Sequence, residues 1–289
     1  MVISGIISCS TNGLGENLIQ NNAVLTKVGS GFSFTEGPAT DSIGNVYFTD
    51  QPNDKIYVWD WKSNQVKLFS NNTGRANGMY FNSKNELLSC SDNQGEIWEF
   101  NSKGEKTATI LTAFNGKRLN GPNDLWIDHL DGSYFTDPLY VRDYWNNFKQ
   151  EIEERRLYYR DSKGIISALD EFKQPNGIIG SERLKKLYVS DIDDSKTYVY
   201  DIESNGKLAN KKLFCELGSD GMTLDEKGNL YLTGKGVNVF NPQGIKILHI
   251  PVDEDWTSNV TFGGKDRKTL FITASKSVYT LQMNVAGNQ

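Results

Sequence analysis

The chain has 289 residues, which is enough for one large domain or two ordinary ones with a sizeable buried core. Its net charge is −5 and it contains no basic run, which argues against a protein that binds nucleic acid by neutralising phosphates. No stretch of 18 apolar residues is present, so no membrane-spanning helix is expected.

The N-terminal segment, residues 1–20, is kept apart from the fold prediction. A short apolar run ends in Ile6-Ile7-Ser8-Cys9 and leads into polar residues. Two interpretations stay open: a frayed flexible terminus, or the cleavage box of a bacterial lipoprotein signal without its basic and apolar beginning. Cytoplasmic, periplasmic and lipid-anchored locations therefore all stay open. The folded domain is predicted over residues 21–289.

One motif recurs six times along the chain. A turn is followed by a short alternating strand that ends in Thr or Ser and, in four copies, Asp. The copies end at Asp50, Asp92, Asp137, Asp191, Gly234 and Ala274, in steps of 42, 45, 54, 43 and 40 residues. Six units of about 45 residues, each with three or four strands, predict an all-β fold, a six-bladed β-propeller in one domain.

The longest step contains an insertion between Leu139 and Arg160. Residues 149–156 (KQEIEERR) form the one segment predicted to be helical. Loops on one face of a propeller often shape its site, so the insertion is either a rim or lid segment or merely a longer loop between outer strands. Tyr140 and Trp145 are the aromatic residues that would line a rim.

Four other residues are assigned to packing. Cys90 and Cys215 fall in or beside apolar runs and are predicted to be inert core residues. The three cysteines of the chain cannot all pair and have no metal-type spacing, which argues against a disulfide framework or a thiolate zinc site. Tyr231 and Trp256 are predicted to pack inside the blades.

A second motif precedes each copy of the first by about a dozen residues. A polar residue, usually followed by Gly, opens an apolar strand. The six polar residues are Glu36, Asn77, Asn123, Asn176, Asp220 and Asn259. Because the blades of a propeller are related by rotation about one axis, we expect these side chains to converge at the mouth of the central channel.

This set predicts a metal site at the central channel. Two carboxylates and several amide carbonyls, without clustered His or Cys, form an all-oxygen site that suits one divalent cation. Ca²⁺ is favoured first and Mg²⁺ or Mn²⁺ next, whereas Zn²⁺ is a less favoured option. The alternative for any single copy is that Asn or Asp merely caps a turn.

Taken in order, the motifs resemble the gluconolactonase / senescence-marker-protein (regucalcin) / luciferin-regenerating-enzyme family, especially its bacterial gluconolactonase-like members. The resemblance covers Phe34 to Leu281 and depends on an ordered set of matches. These are Glu36-Gly37-Pro38, the run from Gly116 to Asp124, Tyr134 to Pro138, Pro175-Asn176-Gly177, Asp220-Gly221-Met222 and Asn259 to Gly264.

The resemblance implies a divalent-metal-dependent hydrolase of sugar lactones. It implies that Glu36, Asn176 and Asp220 hold the metal, and that Asn123 either ligates the ion or contacts the substrate. Arg118-x-Asn120 resembles the pair that orients sugar hydroxyls.

The chain departs from the family pattern at two places. Thr40 stands where an aromatic residue often follows the first motif, and Cys90-Ser91-Asp92 stands where Cys-Glu-His is usual. These departures leave the predicted metal ligands intact but put the identity of the substrate in doubt.

The predicted reaction is the attack of water on a lactone carbonyl that the metal polarises. Asp220 is the predicted general base, with Asp191 in reserve and activation of water by the ion alone as a third option. A Ser-His-Asp triad is disfavoured, because only His129 and His249 are present and neither lies near a G-x-S-x-G motif.

Two further functions stay open. One is hydrolysis of phosphotriesters or other esters at the same site, as in the related diisopropyl-fluorophosphatases, and the other is a non-catalytic metal-loaded propeller that binds a sugar or a protein. Arg118 and Asn120 favour a small, hydroxyl-rich sugar lactone as the partner. The sequence leaves the particular lactone, the native metal and the choice between monomer and homodimer undecided.

Overall fold

The computed structural model describes residues 18–146 and 148–288. In this part of the chain, 24 strands form six antiparallel four-stranded blades, which confirms the predicted all-β six-bladed propeller. The described residues contain one 3₁₀ turn, Gln51–Asn53, and no helix that is long and apolar enough to cross a bilayer.

The first three blades follow one another along the chain, and each begins with its innermost strand. Their strands are β2–β5 (Thr35–Thr40, Val46–Asp50, Lys55–Asp60, Gln65–Asn71), β6–β9 (Ala76–Phe81, Leu87–Ser91, Glu96–Phe100, Lys106–Leu111) and β10–β13 (Leu125–Ile127, Ser133–Asp137, Arg155–Arg160, Ile166–Phe172). The last three blades contain β14–β17 (Pro175–Ser181, Lys186–Asp191, Lys196–Ile202, Leu208–Cys215), β18–β21 (Met222–Leu224, Leu230–Gly234, Gly236–Phe240, Lys246–Ile250) and β22–β24 (Thr257–Gly263, Thr269–Ala274, Ser277–Gln282) with β1 (Thr26–Ser30).

The sixth blade is built from both ends of the described chain. Strand β1 pairs antiparallel with β24 and forms the outer edge of this blade. The preceding residues belong to the domain as well, since Leu18 is buried in the core of the last two blades and Ile19 bridges to Met283. The domain therefore includes residues that the predicted boundary at residue 21 excludes. The predictions for Cys9 lie outside the described residues.

The Thr that ends the repeated motif couples neighbouring blades in several copies. Thr136 donates its hydroxyl to the carbonyl of Asn176 at 2.8 Å, and Thr233 donates to the carbonyl of Ser258 at 2.8 Å. In both cases the donor lies on the second strand of one blade and the acceptor on the inner strand of the following blade. The motif thus supplies buried hydrogen bonds between blades, where the hydroxyls need partners.

The Asp that follows this Thr holds the turn that enters its own blade. Asp50 accepts the backbone N–H groups of Ser33 and Phe34 at 3.0 and 3.1 Å. Asp137 and Asp191 accept two successive backbone N–H groups in the same way. Three of the four aspartates of the motif are therefore turn caps whose oxygens are already engaged.

The helix predicted at residues 149–156 is wrong. The segment is irregular up to Glu154 and then enters β12, where Arg156 lies opposite Asp137 of the neighbouring strand. Ile152 is buried in the hydrophobic core of the third blade. Pairing with two strands and burial of one apolar side chain override the local helix propensity of this acidic and basic run.

The prediction that Cys90 and Cys215 are buried core residues is confirmed. Cys90 and Cys215 are free and buried, and burial raises the pKa of both thiols. Tyr231 is fully buried in the core of the last two blades. These residues pack inside the sheets, as the sequence predicts.

We expect Asp50→Ala to lower the free energy of unfolding by about 1–3 kcal/mol, because the partly buried N–H groups of Ser33 and Phe34 lose their acceptor. Denaturant unfolding at a fixed Ca²⁺ concentration measures this loss. Asp60→Ala is the matched control, since Asp60 also accepts two backbone N–H groups but in an exposed turn, where water replaces it. Equal losses in the two variants would contradict the assigned role.

Candidate functional site

The six polar residues that open the inner strands meet around the propeller axis. The inner strands contact one another in the order β2, β6, β10, β14, β18 and β22, and β22 contacts β2. The residues are Glu36, Asn77, Asn123, Asn176 and Asn259, which are buried, and Asp220, which is partly exposed. We call this set the polar ring. The order of the inner strands around the axis is the one that the in-phase spacing predicts.

Hydrogen bonds connect members of the ring that belong to neighbouring blades. Gly78, next to Asn77, donates its N–H to the carbonyl of Asn123 at 2.7 Å. Asn259 of the last blade donates its Nδ2 to Oε2 of Glu36 in the first blade at 3.4 Å. The ring is therefore continuous across the point where the propeller closes.

The glycines of the polar-Gly motif allow the inner strands to approach closely. Gly37 has φ 47, and a Cβ at this position would lie 2.0 Å from the carbonyl oxygen of Asn77. A Cβ at Gly221 would lie 1.9 Å from Cγ of Asn259. A side chain at position 37 would push the inner strand of the second blade away, and a side chain at position 221 would displace the amide of Asn259 from the ring.

β-Bulges lie in the inner strands where the ring residues stand. The pairing between the inner and second strands shifts register in four blades, between Glu36 and Ala39, Ala76 and Met79, Pro175 and Ile178, and Thr257 and Asn259. A bulge bends the strand and redirects a side chain away from the regular alternation. The backbone itself therefore directs the polar side chains of these inner strands.

Two carboxylates of the ring interact across the channel. Burial raises the pKa of Glu36 well above its ordinary value, and the nearby charge of Asp220 raises it further. Burial also raises the pKa of Asp220 to about 6, against the lowering effect of hydrogen bonds from Trp256 and Asn176. The charge of Asp220 disfavours ionisation of Glu36, whereas a hydrogen bond from protonated Glu36 lowers the pKa of Asp220, so the pair favours a proton or a cation between them.

Asp124 is a third acid beside the ring, and sequence reasoning missed it. Asn259 donates its Nδ2 to Oδ2 of Asp124 at 3.5 Å, and burial raises the pKa of Asp124 to about 7. The signal was present in the sequence, because Asp124 directly follows Asn123 in the third copy of the motif. Its carboxylate adds to the negative charge around Asn259 and Glu36.

The ring offers oxygen donors that the protein leaves unpaired. Oδ1 of Asn77 and Oδ1 of Asn176 are buried without a hydrogen-bond partner. Such orphaned oxygens are costly in a protein interior unless a ligand satisfies them. In the described ranges, no three His, Cys, Asp or Glu side chains form a cluster that could hold a metal ion, so any donor set must include amides. Two carboxylates with amide oxygens fit a hard divalent cation.

Two aromatic residues hold ring members from outside. Trp256 donates its indole N–H to Oδ2 of Asp220 at 2.7 Å, so the prediction that Trp256 only packs inside a blade is wrong. Asn176 donates its Nδ2 to the hydroxyl of Tyr140 at 3.0 Å. Tyr140 comes from the insertion, which places this segment at the rim of the ring and favours the rim interpretation over that of a mere longer loop.

Asp191, the reserve candidate for the general base, differs from Asp220 in its hydrogen-bond partners. Its Oδ2 accepts the N–H of Lys173 at 2.8 Å and its Oδ1 accepts the N–H of Gln174 at 2.9 Å. Both oxygens are therefore committed to the turn that enters the fourth blade. This geometry gives Asp191 a structural role and offers no support for a role as base.

The predicted substrate residues Arg118 and Asn120 are held by protein contacts. The guanidinium of Arg118 donates to the carbonyl of Leu119 at 2.8 Å and lies 4.9 Å from the ring centroids of both Trp145 and Phe148. Asn120 is buried and donates its Nδ2 to the carbonyl of Glu154 at 2.9 Å. The structure thus shows contacts that order the base of the insertion, while their binding of substrate stays a prediction.

Arg142 of the insertion interacts electrostatically with the ring. Its guanidinium lowers the pKa of Asp220. It also lies 5.3 Å from the ring centroid of Tyr140, whose hydroxyl contacts Asn176. No sequence motif contains Arg142, because tertiary contacts place it and the segment around it is irregular.

Comparisons with known proteins agree with this architecture. A family model described as the SMP-30/Gluconolactonase/LRE-like region matches residues 34–276. A gluconolactonase of Zymomonas mobilis is 26% identical over 291 aligned positions, which cover 90% of this chain and 81% of that protein.

Two further similarities bear on the fold and on the substrate. The solved structure of a gluconolactonase of Xanthomonas campestris superposes with a TM-score of 0.85 at 24% identity, covering 92% of this chain and 91% of that one, and shows the shared fold. A diisopropyl-fluorophosphatase of Loligo vulgaris is 28% identical over 175 positions, 55% of each protein.

We expect the protein in excess chelator to unfold at a higher temperature at pH 5 than at pH 8. Folding raises the pKa of Asp124 to about 7 and that of Asp220 to about 6, from an ordinary value of 3.8. The folded state therefore binds more protons than the unfolded state between these values, so stability falls as the pH rises through this window. Thermal unfolding monitored by circular dichroism at several pH values measures the effect.

Asp124→Asn is the control, because an amide at this position cannot titrate. Its unfolding temperature should depend less on pH over the same range. Added Ca²⁺ should raise the unfolding temperature of the wild-type protein most at pH 8, where the carboxylates are ionised. An unfolding temperature that rises from pH 5 to pH 8 in chelator would contradict the raised pKa values.

Proposed function

Because the chain belongs to the SMP-30/gluconolactonase/LRE-like family, we propose that it is a divalent-cation-dependent lactonase that opens sugar lactones. The observation that carries the proposal is the polar ring, in which Glu36 and Asp220 lie with amide oxygens that have no protein partner. The similarity to a gluconolactonase over 90% of the chain supports the choice of a lactone as substrate.

The proposed cation site uses Glu36, Asn123, Asn176 and Asp220. The two carboxylates would balance the charge of one divalent ion, and the unpaired Oδ1 of Asn176 would gain a partner. Ca²⁺ suits this all-oxygen donor set best, with Mg²⁺ and Mn²⁺ next and Zn²⁺ less favoured. When bound, such an ion would act as a Lewis acid towards the lactone carbonyl.

Asp220 is the proposed general base. Trp256 donates to its Oδ2, which fixes the orientation of the carboxylate at the mouth of the ring. In the proposed reaction a water oxygen adds to the carbonyl carbon and a proton of the water passes to Asp220. The ring C–O bond then breaks and the departing oxygen takes a proton, which leaves a hydroxy acid that ionises to its carboxylate.

The surroundings of the ring favour a polar substrate. Tyr140 and Arg142 of the insertion provide a hydroxyl and a guanidinium near Asn176 and Asp220. Such groups can donate to the hydroxyls of a sugar lactone. The similarity to a diisopropyl-fluorophosphatase over 55% of the chain makes a phosphotriester the second candidate substrate.

We expect the protein with Ca²⁺ to hydrolyse glucono-1,5-lactone or a related aldonolactone, since an activated ester in a carboxylate-lined cation site needs little further catalysis. Proton release followed with a pH indicator measures turnover, with diisopropyl fluorophosphate as the competing substrate. Excess chelator should abolish activity, and added Ca²⁺ should restore it. Full activity of metal-free protein would contradict the cation site, and turnover of the phosphotriester alone would favour the second candidate.

We expect Asp220→Asn to lower kcat by about a hundredfold or more at saturating Ca²⁺, because an amide cannot take the proton of water. Asn176→Ala removes a neutral ligand, so excess Ca²⁺ should restore much of its activity. Asp253→Asn, a change at an exposed carboxylate, is the control for loss of one negative charge. If excess Ca²⁺ rescues Asp220→Asn as fully as Asn176→Ala, Asp220 is only a ligand.

A further inference from the structure

Asp92 occupies the position of the repeated motif at which the other three aspartates cap a turn, but it does not cap one. In the second blade this task falls to Asp54, whose Oδ1 accepts the N–H groups of Thr73 and Arg75 at 2.9 and 2.7 Å. The carboxylate of Asp92 is therefore free of the turn. The departure from the repeat indicates a different role for this residue.

The side chain of Asp92 is bound to the insertion instead. Its Oδ2 accepts hydrogen bonds from Nε of Arg142 at 3.1 Å, from the hydroxyl of Tyr144, and from Nε2 of Gln51 at 3.3 Å. The carboxylate is only 4% exposed. A carboxylate buried to this extent needs a charged partner, and Arg142 supplies it. Asp92 thus fixes the position of Arg142.

Arg142 keeps part of its donor capacity for a ligand. Its side chain is 27% exposed, and among the described residues only Nε has a hydrogen-bond partner, so the two Nη atoms are unengaged. The guanidinium stands over the Tyr140 ring, whose hydroxyl meets Asn176 of the polar ring. Arg118, in contrast, donates from its Nη atoms to backbone carbonyls.

We propose that Arg142 binds the carboxylate that lactone opening creates, and that Asp92 is its positioning residue. The inference rests on the proposed lactonase function and names the part of the substrate that Arg142 recognises. Hydrolysis converts a neutral lactone into an aldonate anion, and negative charge already develops on the carbonyl oxygen in the transition state. The two Nη atoms of a guanidinium match the two oxygens of a carboxylate.

The test compares gluconate with glucitol, which has the same polyol chain but a hydroxymethyl group in place of the carboxylate. Isothermal titration calorimetry in Ca²⁺ measures both affinities. Arg142→Met should weaken gluconate binding about tenfold or more, as expected for the loss of charged hydrogen bonds, and leave glucitol binding unchanged. Arg142→Lys keeps the positive charge but not the paired Nη donors, so its gluconate affinity should fall between those of the wild-type protein and Arg142→Met.

Two further variants separate recognition from general disruption. Arg156→Met removes an arginine that pairs with Glu171 on the outer surface and should leave gluconate affinity unchanged. Asp92→Asn should weaken gluconate binding in the same direction as Arg142→Met, and the double variant with Arg142→Met should lose no more than Arg142→Met alone. Additive losses would show that Asp92 does not act through Arg142.

Thermal unfolding establishes that the variants are folded. Unchanged gluconate affinity in folded Arg142→Met, or equal loss of gluconate and glucitol binding, would overturn the inference. If the wild-type protein opens lactones while its gluconate affinity is independent of Arg142, the inference fails and the proposed function stands. If it opens no lactone but gluconate binding still depends on Arg142, the proposed function fails and the anion site stands.

Discussion

Burial of carboxylates at the propeller axis is the constraint on which the site depends. Rotation of six similar blades brings the openings of all the inner strands together, so Glu36 and Asp220 are forced close to each other in a poorly solvated channel. Neither can ionise freely without a compensating charge. The neighbouring Asn side chains offer amide groups but no positive charge. The guanidinium of Arg142 compensates part of the charge of Asp220, and protons or a cation would compensate the rest, which connects the stability of the fold to its chemistry.

The repeated Thr-Asp pair shows how the scaffold supports that ring. The hydroxyl of Thr136 or Thr233 bonds to the inner strand of the next blade, while Asp50 or Asp137 ties the turn of its own blade. These bonds fix the inner strands from the second strands and the entering turns, so the position of the axial side chains does not depend on contacts among them. The blade that departs from the pattern releases Asp92 for the insertion. A functional contact has replaced a structural one at that point.

The sequence predicts the features that repetition generates and misses those that single tertiary contacts generate. The blades and the ring are predictable because equivalent residues recur at regular intervals in the sequence. In a propeller, residues at equivalent positions of the inner strands lie close together around the axis. The contacts of Trp256 and Arg142 are not predictable from the sequence, since each depends on the position of one irregular segment in the fold. The environment of Asp191 has the same limit, because its motif does not show that backbone N–H groups engage both of its oxygens. At residues 149–156 local propensity is outweighed by strand pairing.

The ring and the rim are held in different ways, which would separate the proposed catalytic centre from substrate choice. The ring side chains project from inner strands, where bulges and close glycine contacts leave little room for adjustment. The rim residues of the insertion are held by side-chain contacts, chief among them the pair of Asp92 and Arg142. Exchange of a few rim residues would alter which ester binds without disturbing the carboxylates at the axis. Relatives named for a lactone and for a fluorophosphate are consistent with such a division, because a loop can change its recognition chemistry on an unchanged scaffold.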